Sequence, residues 1–277
     1  MRVRDGGESN REGNCAVDWM QAMLAEGEQP LNRLADGYSN TAIFRTIGFI
    51  GDSLSSGEFE SRDKDGKAGY HDFYEYSWGQ FLGRACGSKV YNLSRGGMSA
   101  KEYCDTFADA NGYWNPKYAA QCYIMALGVN DLLGLHQRVG SCDDINSEDP
   151  DNRETFAYYY AKVIERYKKI QPRAKFFLMT LPRESSDDDN WRSLKIQHRE
   201  LLHSFAEKYD NTYVLDLFEY APEYDEKFKE NFYLRGHMNP QGYLLTAKMT
   251  AAYIDYIIRH NMRDFKESGF IGTDLHE

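Results

Sequence analysis

Residues 42–55 read AIFRTIGFIGDSLS, and this stretch decides the fold. Its first nine residues, 42–50, are mostly apolar and rich in isoleucine and phenylalanine, which predicts a buried β-strand. The small and polar residues Gly51, Asp52 and Ser53 follow at once, so we expect the chain to turn where the strand ends. A buried strand that ends in a polar turn is typical of an α/β protein, in which ligands bind beside the strand ends.

Four further apolar runs follow along the chain, each short and rich in Val, Ile, Phe and Tyr. They cover residues 89–93, 122–127, 175–180 and 213–217. The stretches between them carry apolar residues at helical spacing, for example Phe156, Tyr160, Val163 and Tyr167. Strands that alternate with helices predict an α/β protein, here a three-layer α/β/α sandwich with a five-stranded parallel sheet of the flavodoxin-like kind.

The pattern divides the chain into three parts. These are an N-terminal extension over residues 1–40, one α/β domain over residues 41–262 and a C-terminal tail over residues 263–277. Residues 15–25 of the extension have helical periodicity. In the domain, Ser99 and Glu102 form a capping box, and Asn239 followed by Pro240 predicts the start of the last helix.

Charge and composition exclude several classes of function. The 277 residues include 33 Lys and Arg against 43 Asp and Glu, and the net charge of −10 argues against nucleic acid or an anionic membrane as partner. No apolar run is long enough to span a membrane, and the first 14 residues lack the apolar core of a signal peptide, so we expect a cytoplasmic protein. The five cysteines share no CxxC spacing, which indicates free thiols rather than a disulfide framework or a zinc site.

Four short segments bring chemically useful residues to one edge of the predicted sheet. Ser53 follows the first strand, Gly96 and Gly97 follow the second, Asn130 follows the third, and His237 precedes the last helix. The carboxyl ends of parallel strands meet at one edge, where ligands bind in such sheets. A histidine can take the proton of a serine hydroxyl, and backbone N–H groups together with an asparagine amide can hold an oxyanion. These residue types predict acyl transfer.

The four segments resemble the sequence blocks of SGNH hydrolases of the GDSL esterase/lipase family, which carry Ser, Gly, Asn and His in that order. The matching segments are Gly51-Asp52-Ser53-Leu54-Ser55, Gly96-Gly97, Gly128-Val129-Asn130-Asp131, and His237 with Gly242-Tyr243. The resemblance implies the SGNH hydrolase fold, with Ser53 as nucleophile and His237 as base. It also implies Asn130 and Gly97 as oxyanion donors, with Gly96 as the alternative to Gly97.

One position departs from the family pattern. The family has an aspartate three residues before the histidine, and this chain has Leu234 there. A backbone carbonyl, Asp216 or Asp225 is the candidate partner for the Nδ1–H of His237. A Ser–His pair is sufficient in principle, because the histidine is the base and the acid fixes its tautomer and stabilises its charge.

The resemblance implies a serine esterase that hydrolyses carboxylic esters without a cofactor or a metal ion. No long apolar lid segment is present, so we expect a short acyl group such as acetyl, with a small molecule or a carbohydrate as the alcohol. The alternative is a non-catalytic carbohydrate-binding or scaffold protein on the same fold, which the missing aspartate favours. The sequence makes no prediction about the oligomeric state.

Several other residues have simpler explanations. Asp52 and Asp131 are expected to make loop or cap hydrogen bonds. Residues 61–66, SRDKDG, resemble the start of a calcium-binding loop, but serine stands at the first ligand position and a solvated loop is expected. His198 and His203 lack the spacing of a zinc motif and are expected on a helix surface.

Overall fold

The computed structural model describes residues 27–32, residue 34 and residues 39–275, so the helical periodicity at residues 15–25 lies outside the described residues. The strands are β1 (Thr46–Gly51), β2 (Glu58–Arg62), β3 (Ala68–Asp72), β4 (Lys89–Asn92), β5 (Cys122–Ala126), β6 (Lys175–Met179), β7 (Thr212–Leu215), β8 (Tyr233–Leu234) and β9 (His237–Met238). The α-helices are α1 (Ser53–Ser56), α2 (Trp78–Cys86), α3 (Ala100–Glu102), α4 (Ala108–Ala110), α5 (Phe156–Ile170), α6 (Asp189–Lys208), α7 (Leu217–Tyr220), α8 (Glu226–Phe232), α9 (Pro240–His260) and α10 (Met262–Phe265). π-Helical turns cover Tyr103–Phe107 and Val129–Gly134.

The main sheet is parallel and has the strand order β4-β1-β5-β6-β7. This confirms the predicted five-stranded parallel sheet and the α/β fold class. Gly51 of β1 pairs with Ala126 of β5, so these two strands end at the same level, and β4 ends two residues earlier, where Asn92 pairs with Phe49. The strand order reverses beside β1, and the crevice at such a switch point is where open α/β sheets bind ligands.

Strand β1 begins later than the sequence predicts. Residues Asn40–Ile43 form a 3₁₀ turn, and the strand starts at Thr46. The Ser39 hydroxyl accepts a hydrogen bond from the Thr41 N–H, and the Phe44 N–H donates to the Thr41 carbonyl. Serine side chains offer the backbone an alternative to ladder pairing, which is why the apolar residues of this turn do not join the sheet.

Two apolar layers cover the two faces of the sheet. Adjacent residues of β6 show the division, since Phe176 packs into one core cluster and Phe177 into the other. The first cluster includes Tyr160 of α5 and Phe205 of α6, and the second includes Ile254 of α9. Full burial of one such side chain stabilises a fold by about 1.5–3 kcal/mol. The two layers therefore hold the strand ends in fixed positions.

An antiparallel hairpin of β2 and β3, which the sequence analysis did not predict, is inserted between α1 and α2. Residues 61–66 run from the end of β2 into the turn of the hairpin, where Asp63 Oδ1 accepts hydrogen bonds from the N–H groups of Asp65 and Lys67. The motif that resembles a calcium loop is therefore a hairpin turn. Phe59 packs from one face of the hairpin onto Tyr243, at a ring-centroid distance of 5.5 Å.

Segments at both ends of the chain pack against the domain. Glu28 forms an ion pair with Arg259 of α9 at 2.6 Å, and Phe265 and Ile271 are buried. The division at residues 40 and 262 remains a prediction. In the described part of the chain, no helix is both long and apolar enough to cross a membrane.

Candidate active site

Ser53 is the first residue of the short helix α1 and directly follows the end of β1. The Asp52 carboxylate caps this helix by accepting a hydrogen bond from the Leu54 N–H, which confirms its predicted capping role. Gly51 is required at the strand end, because a Cβ there would lie 2.2 Å from Ser55 Oγ. The turn holds Ser53 in a largely buried position, with 9% of its surface exposed.

The two candidate glycines after β4 have different surroundings. Gly97 has a φ of +71°, a conformation that favours glycine, and a Cβ at this position would meet open space. A Cβ on Gly96 would lie 2.0 Å from Glu58 Oε2. The lack of a side chain at Gly97 therefore leaves open space beside the backbone, whereas the lack of one at Gly96 makes room for the Glu58 carboxylate.

Asn130 lies in the π-helical turn after β5, and its side chain faces the loop that carries the glycines. Its Nδ2 donates a hydrogen bond to the Met98 carbonyl at 3.1 Å, which leaves the second amide hydrogen available. Asp131 Oδ1 accepts from the Ala100 N–H at 2.7 Å, as expected for a loop hydrogen bond. These bonds tie the Asn130 turn to the Gly97 loop, side by side at the sheet edge.

His237 lies on β9 and is enclosed by the β2–β3 hairpin. Its Nε2 lies 3.0 Å from Glu58 Oε1, and the ring of Tyr70 contacts the imidazole edge to face at 5.6 Å. The buried Nδ1 atom has no hydrogen-bond partner. The loop before β9 is held by Glu60, whose Oε2 accepts a hydrogen bond from the Gly236 N–H at 3.0 Å.

The predicted partners of His237 Nδ1, which were a backbone carbonyl, Asp216 or Asp225, are wrong, because this atom has no hydrogen-bond partner in the part of the chain that the structure describes. The Asp216 carboxylate instead contacts Arg199 and His203, at 2.6 and 2.9 Å. Asp225 caps α8 through its side chain. The sequence analysis did not identify Glu58, because this residue lies on a hairpin that was not predicted. The only local signal for a strand there is the alternation of Glu58 and Glu60 around the apolar Phe59.

Ser53 and His237 lie on neighbouring elements, α1 and β9. Met238, the residue after His237, lines one cavity together with Asp52 and Leu54, the residues on either side of Ser53. No hydrogen bond joins the Ser53 hydroxyl to His237 among residues 39–275, since Nε2 lies against Glu58 and Nδ1 has no partner. In unliganded enzymes such bonds often tighten only when substrate binds.

Burial shifts the titration of several groups at this edge. It raises the pKa of Asp52 to about 7 and the pKa of Asp131 to about 7. Burial and the nearby Asp72 raise the pKa of Glu58. Burial lowers the pKa of His237, although Glu60 and Asp72 act in the opposite direction. His237 is therefore neutral near pH 7, the state that a general base requires.

The remaining histidines of interest are His198 and His203. Within the described ranges, no group of three His, Cys, Asp or Glu side chains could hold a metal ion. His203 is on the surface as expected, but His198 is fully buried, with Nε2 3.3 Å from the Leu127 carbonyl. The expectation of a surface position was wrong for His198, because its helix packs this face onto the sheet.

Comparisons with known proteins identify the family. A model of the GDSL-like Lipase/Acylhydrolase family matches residues 49–245, whereas no curated protein sequence matches the chain. The structure of a family two carbohydrate esterase from Clostridium thermocellum in complex with cellohexaose has a TM-score of 0.54 at 15% identity, covering 84% of this chain and 67% of that chain. A carbohydrate esterase family 2 enzyme from Corynascus thermopiles (Myceliophthora fergusii) has a TM-score of 0.54 at 15% identity, with coverages of 81% and 68%. A possible lipase from Chitinophaga pinensis has a TM-score of 0.50 at 14% identity, with coverages of 78% and 98%.

At these identities the solved structures establish the shared fold alone, and the family match carries the assignment. The matched residues 49–245 include Ser53, Gly97, Asn130 and His237. They also cover most of the chain, from within β1 to the first turns of α9. The chain therefore belongs to the GDSL-like lipase/acylhydrolase family and is a hydrolase of ester bonds.

Proposed function

We propose that this protein is a serine esterase in which Ser53 attacks the ester carbonyl and His237 is the general base. His237 takes the hydroxyl proton as the Ser53–acyl bond forms, and then protonates the leaving alcohol. Water, activated by the same histidine, hydrolyses the acyl-enzyme and regenerates Ser53. The observation that carries this proposal is the convergence of α1, the Gly97 loop, the Asn130 turn and β9 at one edge of the sheet.

The same convergence supplies donors for the oxyanion of the tetrahedral intermediate. The proposed donors are the backbone N–H groups of Ser53 and Gly97 and the side-chain amide of Asn130. The bond from Asn130 to the Met98 carbonyl holds the amide in place before substrate arrives. Donors that are oriented in advance need no reorganisation during the reaction, which is why they stabilise a developing charge strongly.

A short acyl group such as acetyl is the proposed acyl part of the substrate. The sequence has no long apolar segment that could form a lid over a fatty acyl chain. A mostly apolar cavity of about 60 Å³, lined by Asp52, Leu54 and Met238 among others, lies next to the turn that carries Ser53.

A carbohydrate is the proposed alcohol. A polar pocket of about 350 Å³ adjoins the site and is lined by Ser56, Asp72, Tyr74, Asn92 and Ser94. Hydroxyl, amide and carboxylate groups of this kind pair with sugar hydroxyls. Two structural neighbours are carbohydrate esterases, one of them in complex with cellohexaose, which agrees with this choice of substrate class.

Covalent labelling tests the nucleophile without knowledge of the natural substrate. A fluorophosphonate probe should modify Ser53, and tandem mass spectrometry of the tryptic peptide that spans residues 46–62 should locate the label. The same peptide contains Ser55, Ser56 and Ser61, which serve as internal controls. Label on another serine, or none on the folded protein, would overturn the proposal.

Hydrolysis of p-nitrophenyl acetate tests the pair directly. Ser53→Ala and His237→Ala should each reduce the rate to near background, whereas Ser193→Ala, an exposed serine of α6, should keep the wild-type rate. Equal rates for wild type and Ser53→Ala would exclude Ser53 as nucleophile. Release of acetate from acetylated xylan or acetylated cello-oligosaccharides, compared with long-chain esters, tests the acyl and alcohol preferences.

A further inference from the structure

One face of the β2–β3 hairpin is acidic and lies against His237. Glu58 pairs with Asp72 across the hairpin and Glu60 pairs with Tyr70, so these four side chains share one face. Glu58 and Tyr70 both contact the imidazole of His237. The hairpin therefore places carboxylates next to the imidazole of His237, the candidate base. The aspartate that the family pattern has three residues before this histidine is absent from the chain.

The Glu58 carboxylate is the one that reaches a ring nitrogen. Its Oε1 lies 3.0 Å from His237 Nε2, and the two side chains are only 13% and 17% exposed. Its backbone is held by Tyr243, whose hydroxyl donates to the Glu58 carbonyl. Its other oxygen, Oε2, occupies the space that the absent side chain of Gly96 leaves free. Glu58 is thus confined on several sides.

The other acidic groups that face His237 are engaged elsewhere. Glu60 accepts hydrogen bonds from the Gly236 N–H and from Arg62, and Asp72 accepts one from the Ser56 hydroxyl. Among the described residues, the acids that face the imidazole are these two and Glu58, all three from the hairpin. Of the three, Glu58 is the one whose carboxylate forms an ion-pair contact with a ring nitrogen.

We propose that Glu58 is the positioning residue of His237 and takes the place of the aspartate that Leu234 replaces. Neutral His237 then carries its proton on Nε2, facing Glu58, and its lone pair on Nδ1. This inference rests on the proposed function of His237 as the base. The buried Nδ1 has no hydrogen-bond partner among the described residues, and the proposal makes its lone pair the acceptor of the Ser53 proton when substrate binds.

The reaction balances with this assignment. As Ser53 Oγ bonds to the acyl carbon, its proton moves to Nδ1 and the imidazole becomes a cation. The Glu58 carboxylate stabilises that cation through the Nε2–H and itself stays ionised. When the ester bond breaks, Nδ1 returns the proton to the leaving alcohol. In this assignment Nδ1 is the base and the Nε2–H faces the carboxylate, which is the reverse of the usual roles of the two ring nitrogens.

An aspartate placed at position 234 tests whether a second carboxylate can replace Glu58 beside His237. Leu234 pairs directly with His237 across β8 and β9, so the two side chains lie on the same face. Leu234 is 41% exposed, and an aspartate there does not enter the core. Leu234→Asp therefore introduces a carboxylate beside His237, at the sequence position where the family pattern has its aspartate.

The experiment measures kcat and KM for p-nitrophenyl acetate in four folded variants. Glu58→Gln should lower kcat by about 10²–10⁴-fold with little change in KM, because general-base assistance contributes about that factor. Asp65→Asn removes a charge from the exposed tip of the same hairpin and should match wild type. The double variant Glu58→Gln/Leu234→Asp should have a kcat at least tenfold higher than that of Glu58→Gln alone. Glu58→Asp should retain more activity than Glu58→Gln.

Nitrogen-15 NMR of the histidine rings supplies a readout that needs no substrate. In the wild-type protein near pH 7, His237 should show the proton on Nε2, and this preference should weaken in Glu58→Gln. The signal is assigned by its absence in His237→Gln. A proton on Nδ1 in the wild type would overturn the inference.

The two proposals fail separately. An inactive Ser53→Ala together with a fully active, folded Glu58→Gln would overturn the role of Glu58 and leave the esterase mechanism standing. An active Ser53→Ala would overturn the mechanism itself, and the NMR measurement would still decide which ring nitrogen carries the proton and whether Glu58 controls it.

Discussion

The close approach of Gly96 to Glu58 leads to a specific prediction for Gly96→Ala. A Cβ at this position would lie 2.0 Å from Glu58 Oε2, whereas real Cβ atoms essentially never approach closer than 3.0 Å. The carboxylate must move by about 1 Å, and a misplacement of about 1 Å in a catalytic arrangement costs about 10²-fold in rate. We expect kcat/KM for p-nitrophenyl acetate to fall by about that factor.

Gly134→Ala is the matched control, since its φ is not positive and its new methyl group would meet nothing within 4 Å. It should retain the wild-type kcat/KM. If Gly96→Ala acts through Glu58, it should cost little further activity in a Glu58→Gln background, because the displaced group is already inactive. Wild-type activity in folded Gly96→Ala protein, or a fully additive loss in the double variant, would refute the reasoning.

Three further predictions follow from the same edge of the sheet. Asn130→Ala should lower kcat by about 10²–10³-fold, as expected for loss of an oxyanion donor, whereas Asn111→Ala, which removes an exposed amide-to-carbonyl bond, should be silent in the same assay. The pKa of His237 is lowered by burial, so kcat/KM should rise with pH along a limb centred below about 6.5 and level off by neutrality; a limb centred above 7 would contradict this. The pKa of Asp131 is raised to about 7, so the folded state binds a proton that the unfolded state has lost between about pH 4 and 7. The free energy of unfolding should fall across that window by up to about 1.4 kcal/mol per pH unit from this group, and Asp131→Asn should flatten the fall in urea titrations; an unchanged slope would contradict the assignment.

Local pattern was sufficient for the architecture of the sheet. The apolar runs that end at Leu93, Leu127 and Thr180 predict β4, β5 and β6 to within one residue at their carboxyl ends. The capping residues Ser99 and Asn239 also act as predicted, since each side chain accepts a backbone hydrogen bond in the first turn of its helix. These features depend on neighbours within a few positions, so the sequence shows them directly.

Predictions failed where a residue's environment depends on distant parts of the chain. Ala42 and Ile43 were expected in β1, but they belong to a 3₁₀ turn, Asn40–Ile43, that Ser39 caps. His198 was expected on a surface, yet its helix buries it against the end of β5. The hairpin of β2 and β3 has too few apolar residues to be recognised from periodicity, because one of its faces covers the site rather than the core.

The sequence by itself determined that four polar segments lie at the carboxyl edge of one parallel sheet, because alternating strands and helices leave a single arrangement for the strand ends. It also determined that an aspartate is missing at position 234. Only the tertiary structure decided which group lies against His237 in its place. The contact with Glu58 joins a hairpin near the start of the domain to a strand near its end, and its 3.0 Å distance depends on the packing of Tyr243, Gly96 and Gly236 around them. Contacts of that range depend on how completed elements pack together, and no local pattern of residues encodes them.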